Sequence, residues 1–317
     1  MTYQPAAHTD DQTILPQLPG WVTSGRAETL ETVAFRSGAA LTVLDELISD
    51  LRHGVPLKLL ANRLALSAAT ATSKLEGRLV RDADIRDAYH LTPPGEARGP
   101  DGDLLGFWRE AVRVRASGAG EIADVVGADV AGEVGVWIEV GLERARTHGP
   151  LAGCAAVLCA VLETNDRAER IACALSDILL ARALNWKTVL TVTARRLTKA
   201  ALRDLVADGQ GAELAVQARI LDSIEETIRV GRDLARRAEL LRAVAPKLRA
   251  KGSEAGVTLF LTEDAVAPAS MLSPHIWGTT IPMTSRAARR FCDRLVELGV
   301  ARELTGRPTF RLYGIAP

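Results

Sequence analysis

Apolar side chains recur every three to four positions along most of the chain, the spacing that lines one face of an α-helix. From Glu28 onward, Val33, Ser37, Ala40, Leu41, Leu44, Leu47, Ile48 and Leu51 form one stripe, which His53-Gly54-Val55-Pro56 ends. Leu59, Leu60, Leu64, Leu66, Ala69 and Leu75 predict a second helix over Leu57 to Glu76, closed by Gly77. Arg81 to His90 makes a short third helix, with Asp82 in its first turn. Leu91 to Gly102 carries Pro93, Pro94, Gly95, Gly99 and Pro100 and reads as a loop. Helical spacing resumes over Leu104 to Arg115, with Leu105, Trp108 and Val112 inward. It continues through Ile122 to Leu142, Leu151 to Glu163, Ala168 to Leu184 and Val189 to Ala207. In the longest stretch, Glu213 to Val244, the residues Val216, Ile220, Ile224, Ile228, Leu234 and Leu241 drift slowly round the axis, as in a bundle. The pattern predicts a mainly α fold. A multi-helix bundle over 28–250 follows a flexible arm, 1–27, that Trp21 pins at its end.

Beyond residue 250 the pattern changes. Ala287, Ala288, Phe291, Cys292, Leu295, Val296 and Leu298 keep helical spacing, Thr284 or Ser285 can cap the helix, and Gly299 can terminate it. Val300 to Leu304 alternates, Thr305-Gly306-Arg307-Pro308 reads as a turn, and Thr309 to Tyr313 as the returning strand. A helix followed by a hairpin is the second half of a winged helix-turn-helix, so residues 251–317 are expected to form such a module. The helix that should precede it, within Val257 to Asp264, is weaker, and Pro268, Pro274 and Pro282 lengthen the link between the two. Pro246, Gly252 and Gly256 mark a hinge between body and module, where limited proteolysis is expected to cut near Arg249 to Glu254 and leave a folded body.

Charge sharpens this picture. Lys+Arg and Asp+Glu each number 39 in 317 residues, so the chain is not a general polyanion binder and any nucleic-acid contact must come from local clustering. Thr284 to Arg311 holds seven Arg against three acids. Arg286, Arg289, Arg290 and Arg294 lie off the apolar face of the last helix, Arg307 at the hairpin tip, and Arg302 and Arg311 on its strands. Arginine reaches both phosphates and guanine edges. Thr284, Ser285, Arg286, Arg289, Arg290, Arg294, Arg307 and Arg311 are therefore the candidate contacts to double-stranded DNA. The bland alternative is a small helix-hairpin that closes the domain with solvated arginines. A basic run from Arg229 to Lys251 leads into the module, although a solvated helix face is the commoner origin of such a run.

Other chemistry is sparse. Apolar residues make up 47% and aromatics 4% of the chain, which suits helices with a substantial core. Cys154, Cys159, Cys173 and Cys292 have no metal-ligand spacing, and buried free thiols in a reducing cytoplasm are expected. The N-terminus lacks a basic-then-apolar pattern, and the longest apolar run, Leu151 to Leu162, is too short to span a bilayer, so no membrane partner is expected. No phosphate loop, zinc-hydrolase motif or nucleophile elbow is present, and no cofactor or metal is expected. A catalytic site around His90, Asp101 and Asp103 is the least supported reading.

Two resemblances complete the reading. Thr72-Ser73-Lys74-Leu75-Glu76-Gly77 resembles the helical inhibitory motif of Fic-type nucleotidyl transferases, a hydroxyl residue four before Glu-Gly. The active-site loop of that family, His-Pro-Phe followed by Gly-Asn-Gly-Arg, is absent, so the resemblance does not imply nucleotide transfer. Glu76 is expected to end a helix near Arg78 or Arg81. Long stretches resemble a bacterial family of domains of unknown function, number 1403. They are RSGAALTVLDEL from Arg36, DADIRDAYHLTPPGEARGPDGDLLGFWR from Asp82, DILLARALNW from Asp177, APKLRAKG from Ala245 and AARRFCDRLVELGVARELTGRPTFRLYGI from Ala287. The resemblance implies membership and brings no activity with it. The leading expectation is a cytoplasmic DNA-associated protein, a regulator or mobile-element maintenance factor able to form a homodimer. The alternative is a helical protein-protein interaction scaffold without catalytic activity.

Overall fold

The computed structural model describes residues 14–25, 28–93, 95–115, 119–127, 130–248, 251–307 and 309–316. Residues 1–13 and 26–27 of the expected arm, Pro94 of the loop, Arg249 of the basic run and Pro308 of the expected turn lie outside them. The chain is mainly helical. The body comprises α1 (Gly20–Thr23), α2 (Leu30–Ser49), α3 (Leu57–Leu75), α4 (Asp82–His90), α5 (Gly99–Ala111), α6 (Ala119–Val126), α7 (Val134–His148), α8 (Pro150–Thr164), α9 (Glu169–Ala183), α10 (Lys199–Val206) and α11 (Ala212–Val244). No described helix is long and apolar enough to cross a membrane.

Local sequence explains most of these elements. Thr29 caps α2 reciprocally with Thr32, each side chain accepting from the other residue's backbone N–H. Its expected stripe is buried through Leu47, whereas Leu51 is 94% exposed. The helix stops at Ser49 because the Asp50 carboxylate accepts from the Arg52 N–H and starts a separate turn. In the arm, Val22 is the buried anchor, and Trp21 rests on Phe35 with ring centroids 6.1 Å apart.

The expected loop over Leu91 to Gly102 is shorter than the prolines suggested. α5 begins at Gly99 with Pro100 in its first turn, where no backbone N–H is needed. The predicted helix over Ile122 to Leu142 is two helices, one ending at Val126 and the next starting at Val134; residues 128–129 lie outside the described residues. The predicted helix over Val189 to Ala207 is corrected more deeply. Val189 to Thr193 is irregular and buried, a 3-10 turn follows at Ala194–Arg196, and α10 starts only at Lys199. Val189-Leu190-Thr191-Val192-Thr193 is rich in β-branched residues, which lose rotamer freedom in a helix. Asp177 of α9 supplies the acceptor that this irregular segment otherwise lacks. Its Oδ1 receives the Val192 N–H at 3.0 Å, the Thr193 N–H at 2.9 Å and the Thr193 hydroxyl at 2.7 Å.

α7 and α8 turn on Gly149, whose φ of 94° an L side chain rarely adopts. They then cross at Gly141 and Gly153, where a Cβ on Gly153 would lie 2.6 Å from the Gly141 carbonyl oxygen. α9 packs on α8, and α11 packs along α2 and across α8 and α10. Their inner faces form one apolar core that continues through Val257, Phe260, Phe291, Leu295 and Leu312.

Residues 251–316 form α12 (Ser253–Phe260), a π-helical turn at Pro268–Leu272, α13 (Ser285–Glu297), β1 (Ala301–Glu303) and β2 (Tyr313–Ile315). β1 and β2 pair antiparallel in the register Ala301↔Ile315, and Val266 bridges to Tyr313 on the other edge of β2. The returning strand is therefore Tyr313–Ile315, with residues 304–312 connecting, in place of a tight turn and a strand over Thr309 to Tyr313. The Glu303 carboxylate accepts from the Thr305 and Gly306 N–H groups and shapes that connection. Gly252 and Gly256 are points of close contact. A Cβ on Gly256 would lie 2.7 Å from the Phe291 ring, so α12 and α13 touch there.

Candidate nucleic-acid interface

Thr284 sits at the start of α13 with its hydroxyl accepting from the Ala287 N–H at 3.3 Å, which is its capping role. The Ser285 hydroxyl lies 3.1 Å from that of Ser273. Ala288, Phe291, Cys292 and Leu295 point inward, as their spacing predicts, whereas Val296, expected on the same face, is exposed; Arg286, Arg289, Arg290 and Arg294 lie outside. Arg289 donates to the Ser285 carbonyl, and Arg294 pairs with Glu297 at 2.9 Å. Arg286 and Arg290 have no ion-pair partner among the described residues.

Arg286, Arg290 and Arg294 line one groove of about 570 Å³ together with Lys247 and Leu248 from the segment after α11. Thr284, Ala287 and Phe291 complete its lining, which holds no carboxylate among the described residues. The three arginines follow each other at one-turn intervals, a rise of about 6 Å per step. Lys247 belongs to the basic run before the module, and the sequence did not single it out as facing this helix. Four other candidates do not line the groove: Ser285 and Arg289 on α13 itself, and Arg307 and Arg311 at the hairpin. Arg307 approaches Asp87 of α4 at 3.6 Å, and Arg311 donates to the Arg307 carbonyl at 3.1 Å. The hairpin connection therefore leans on the body, helped by Arg86, which donates to the Leu304 carbonyl at 3.1 Å. Between them lies Phe310, 74% exposed, in the left-handed backbone region.

What fixes this surface in place is a set of buried charges at the seam with the body. Arg109 of α5 is fully buried and donates to Glu263 and to Asp264, the latter at 2.5 Å. His90 lies 3.2 Å from the same Asp264 oxygen. Burial pushes the Asp264 carboxyl up, but the charge and hydrogen bond of His90, with Arg109, outweigh it and hold it at about 2. Asn62 donates to the Thr262 carbonyl, Arg63 to that of Ile315, and Arg237 to that of Ala316. Apart from His90 and the basic run that holds Arg237, these residues were not singled out in the sequence. One legible signal was Arg109 itself, four residues after Leu105 and therefore on the apolar face of its helix.

The other sequence candidates are not brought together. His90 meets Asp264, Asp101 pairs with Arg78, and Asp103 has no ion-pair partner among the described residues. Glu76 does end its helix region, but its partner is Arg170 at 3.1 Å, while Arg81 pairs with Asp84. The four cysteines are free, and burial pushes all four thiols up, Cys159 to about 11. Among the described residues no three His, Cys, Asp or Glu side chains cluster so as to hold a metal ion.

Comparison with curated proteins gives no match. A family model described as "Protein of unknown function (DUF1403)" matches residues 6–315, which is nearly the whole chain. The chain belongs to this family.

Proposed function

We propose that the protein binds double-stranded DNA through the outer face of α13, in the manner of a winged helix-turn-helix. The groove at α13 carries the reading: Arg286, Arg290, Arg294 and Lys247 converge on it and no acid lines it among the described residues. Arg294 pairs with Glu297, but Arg286, Arg290 and Lys247 have no ion-pair partner among the described residues. Unpaired converging cations attract a polyanion, and the row on α13 suits one running along the helix. The order of elements also supports the reading. A helix is followed by a bridging residue on the sheet edge, a helical turn, a second helix and a hairpin. Residues 273–284 make the link into α13 longer than a compact helix-turn-helix needs. They carry their own small turn, closed by the bridge between His275 and Pro282. Arg307 and Arg311 contribute at the hairpin if DNA reaches it. In this reading the protein works in the cytoplasm as a regulator or mobile-element maintenance factor, and a homodimer presents two copies of α13.

Arg290→Ala tests the reading directly. The side chain is exposed and has no ion-pair partner among the described residues, so stability should stay within about 0.5 kcal/mol. Affinity for a bound duplex, read by fluorescence anisotropy, should fall by about 1–3 kcal/mol if Arg290 reads a guanine, and by less if it meets a phosphate. Unchanged duplex affinity removes Arg290 from the contact surface.

A further inference from the structure

A second, larger cleft of about 1660 Å³ opens beside the α13 groove, and Leu248 lines both. Its walls come from α3, the ends of α5 and α11, α12 and the loop that carries Trp277. From these observations we propose that the cleft takes single-stranded nucleic acid, with bases stacking on Trp277 and phosphates meeting Lys58, Arg113, Lys187 and Arg242. The inference goes beyond duplex binding by α13 and does not require it.

Charge selects the polymer. Lys58, Arg113 and Lys187 are exposed and have no ion-pair partner among the described residues. Arg242 gives one N–H to the Gly54 carbonyl at 3.0 Å and keeps its other donors. Of the two carboxylates in the wall, Glu263 is already engaged by Arg109, which leaves Glu254. Size argues for a strand over a single small ligand, since pockets for the latter run to about 1,000 Å³.

Trp277 supplies what a single strand needs and a duplex cannot use, an aromatic face open to unpaired bases. It is 53% exposed, yet the loop under it is clamped. The Trp277 backbone N–H donates to the Met271 carbonyl at 2.8 Å, and the neighbouring Ile276 backbone N–H to the Ile281 carbonyl at 3.0 Å. The fully buried Ile276 side chain anchors the turn. A large aromatic held outward on a fixed turn loses little conformational freedom when a base stacks on it.

The test uses the full-length protein and a labelled oligothymidylate of about 12 nucleotides, read by anisotropy at low salt, beside a blunt duplex of equal length. Trp277→Ala, and a Lys58→Ala/Lys187→Ala double variant, should each bind the single strand roughly tenfold more weakly, while Trp277→Phe keeps most of the affinity. Trp277→Ala should leave duplex binding unchanged. No binding of the oligothymidylate, or equal binding by wild type and both variants, overturns the proposal. So does thymidine monophosphate competing as well as an equal concentration of strand nucleotides, which marks a small-ligand site. Loss of strand binding in Trp277→Ala with no duplex binding by wild type keeps this proposal and removes the one for α13.

Discussion

At the scale of single residues, two buried acids respond to pH in opposite directions. Burial raises Asp177 to about 7, against the hydrogen bonds from Thr193 and Val192 that pull it down. A raised acid stays protonated in the folded state while the unfolded chain has already lost that proton. Its contribution to stability is therefore full below the ordinary carboxylate range and is lost as pH rises toward about 7. Asp264, held at about 2, does the reverse: its contribution is present above the ordinary range and lost as pH falls toward that value. Asp177→Asn keeps an acceptor oxygen and removes the charge, so the decline in melting temperature between about pH 4 and about pH 7 should flatten in this variant. An unchanged slope would assign the decline to other groups. Arg109→Met tests the seam. Removing it leaves Glu263 and Asp264 without their buried cation and should cost about 3–5 kcal/mol by denaturant unfolding. A loss below about 1 kcal/mol would show that His90 and solvent compensate. Neither acid announced itself in the sequence, because an isolated Asp in a helix, or an acidic pair after one, has the same pattern whether it is solvated or buried.

The helices were the most legible elements. The stripes of α2, α3, α8, α9, α11 and α13 are buried much as their spacing predicts, because periodicity records the face that must leave water. What periodicity could not see were elements whose backbone is satisfied by a distant side chain. Val189 to Thr193 stays out of the helix because Asp177 reaches it from another helix and accepts the Val192 and Thr193 N–H groups. Pro100 looked like loop and is the first turn of α5. Glycines were read as breaks, although several mark close approaches. The crossing of α7 and α8 offers an element-scale test. A methyl on Gly153 would meet the Gly141 carbonyl, part of a backbone that yields only if the helices part. Gly153→Ala should therefore destabilise by about 1–3 kcal/mol despite its better helix propensity. A neutral or stabilising effect would mean that the two helices can separate cheaply.

Across the whole molecule, the junction near residue 250 is bridged both by a shared apolar core and by charge. Asn62, Arg63, Arg86, Arg109 and Arg237 all reach from the body to residues 262–316. A single protease cut between residues 249 and 254 should accordingly leave the two fragments associated under native conditions, and deletion of residues 251–317 should leave a body that unfolds more easily. A truncated body as stable as the full chain would restore an independent module. This firm seating matters for the candidate site, since Lys247 comes from the segment after α11 and the three arginines from α13, and the groove exists only while both are held. The sequence exposed the arginines through their phase on α13. It could not expose their pairing with Lys247, which depends on how a later helix folds back. The central claim is that this groove receives DNA phosphates. Measuring duplex affinity of the full-length protein against salt concentration tests it most directly. Contacts from Lys247, Arg286, Arg290 and Arg294 predict a log–log slope of about −3 to −4, made shallower by about 0.9 in Arg290→Ala if that side chain meets a phosphate. Absence of duplex binding at low salt, or a slope near zero, would contradict it.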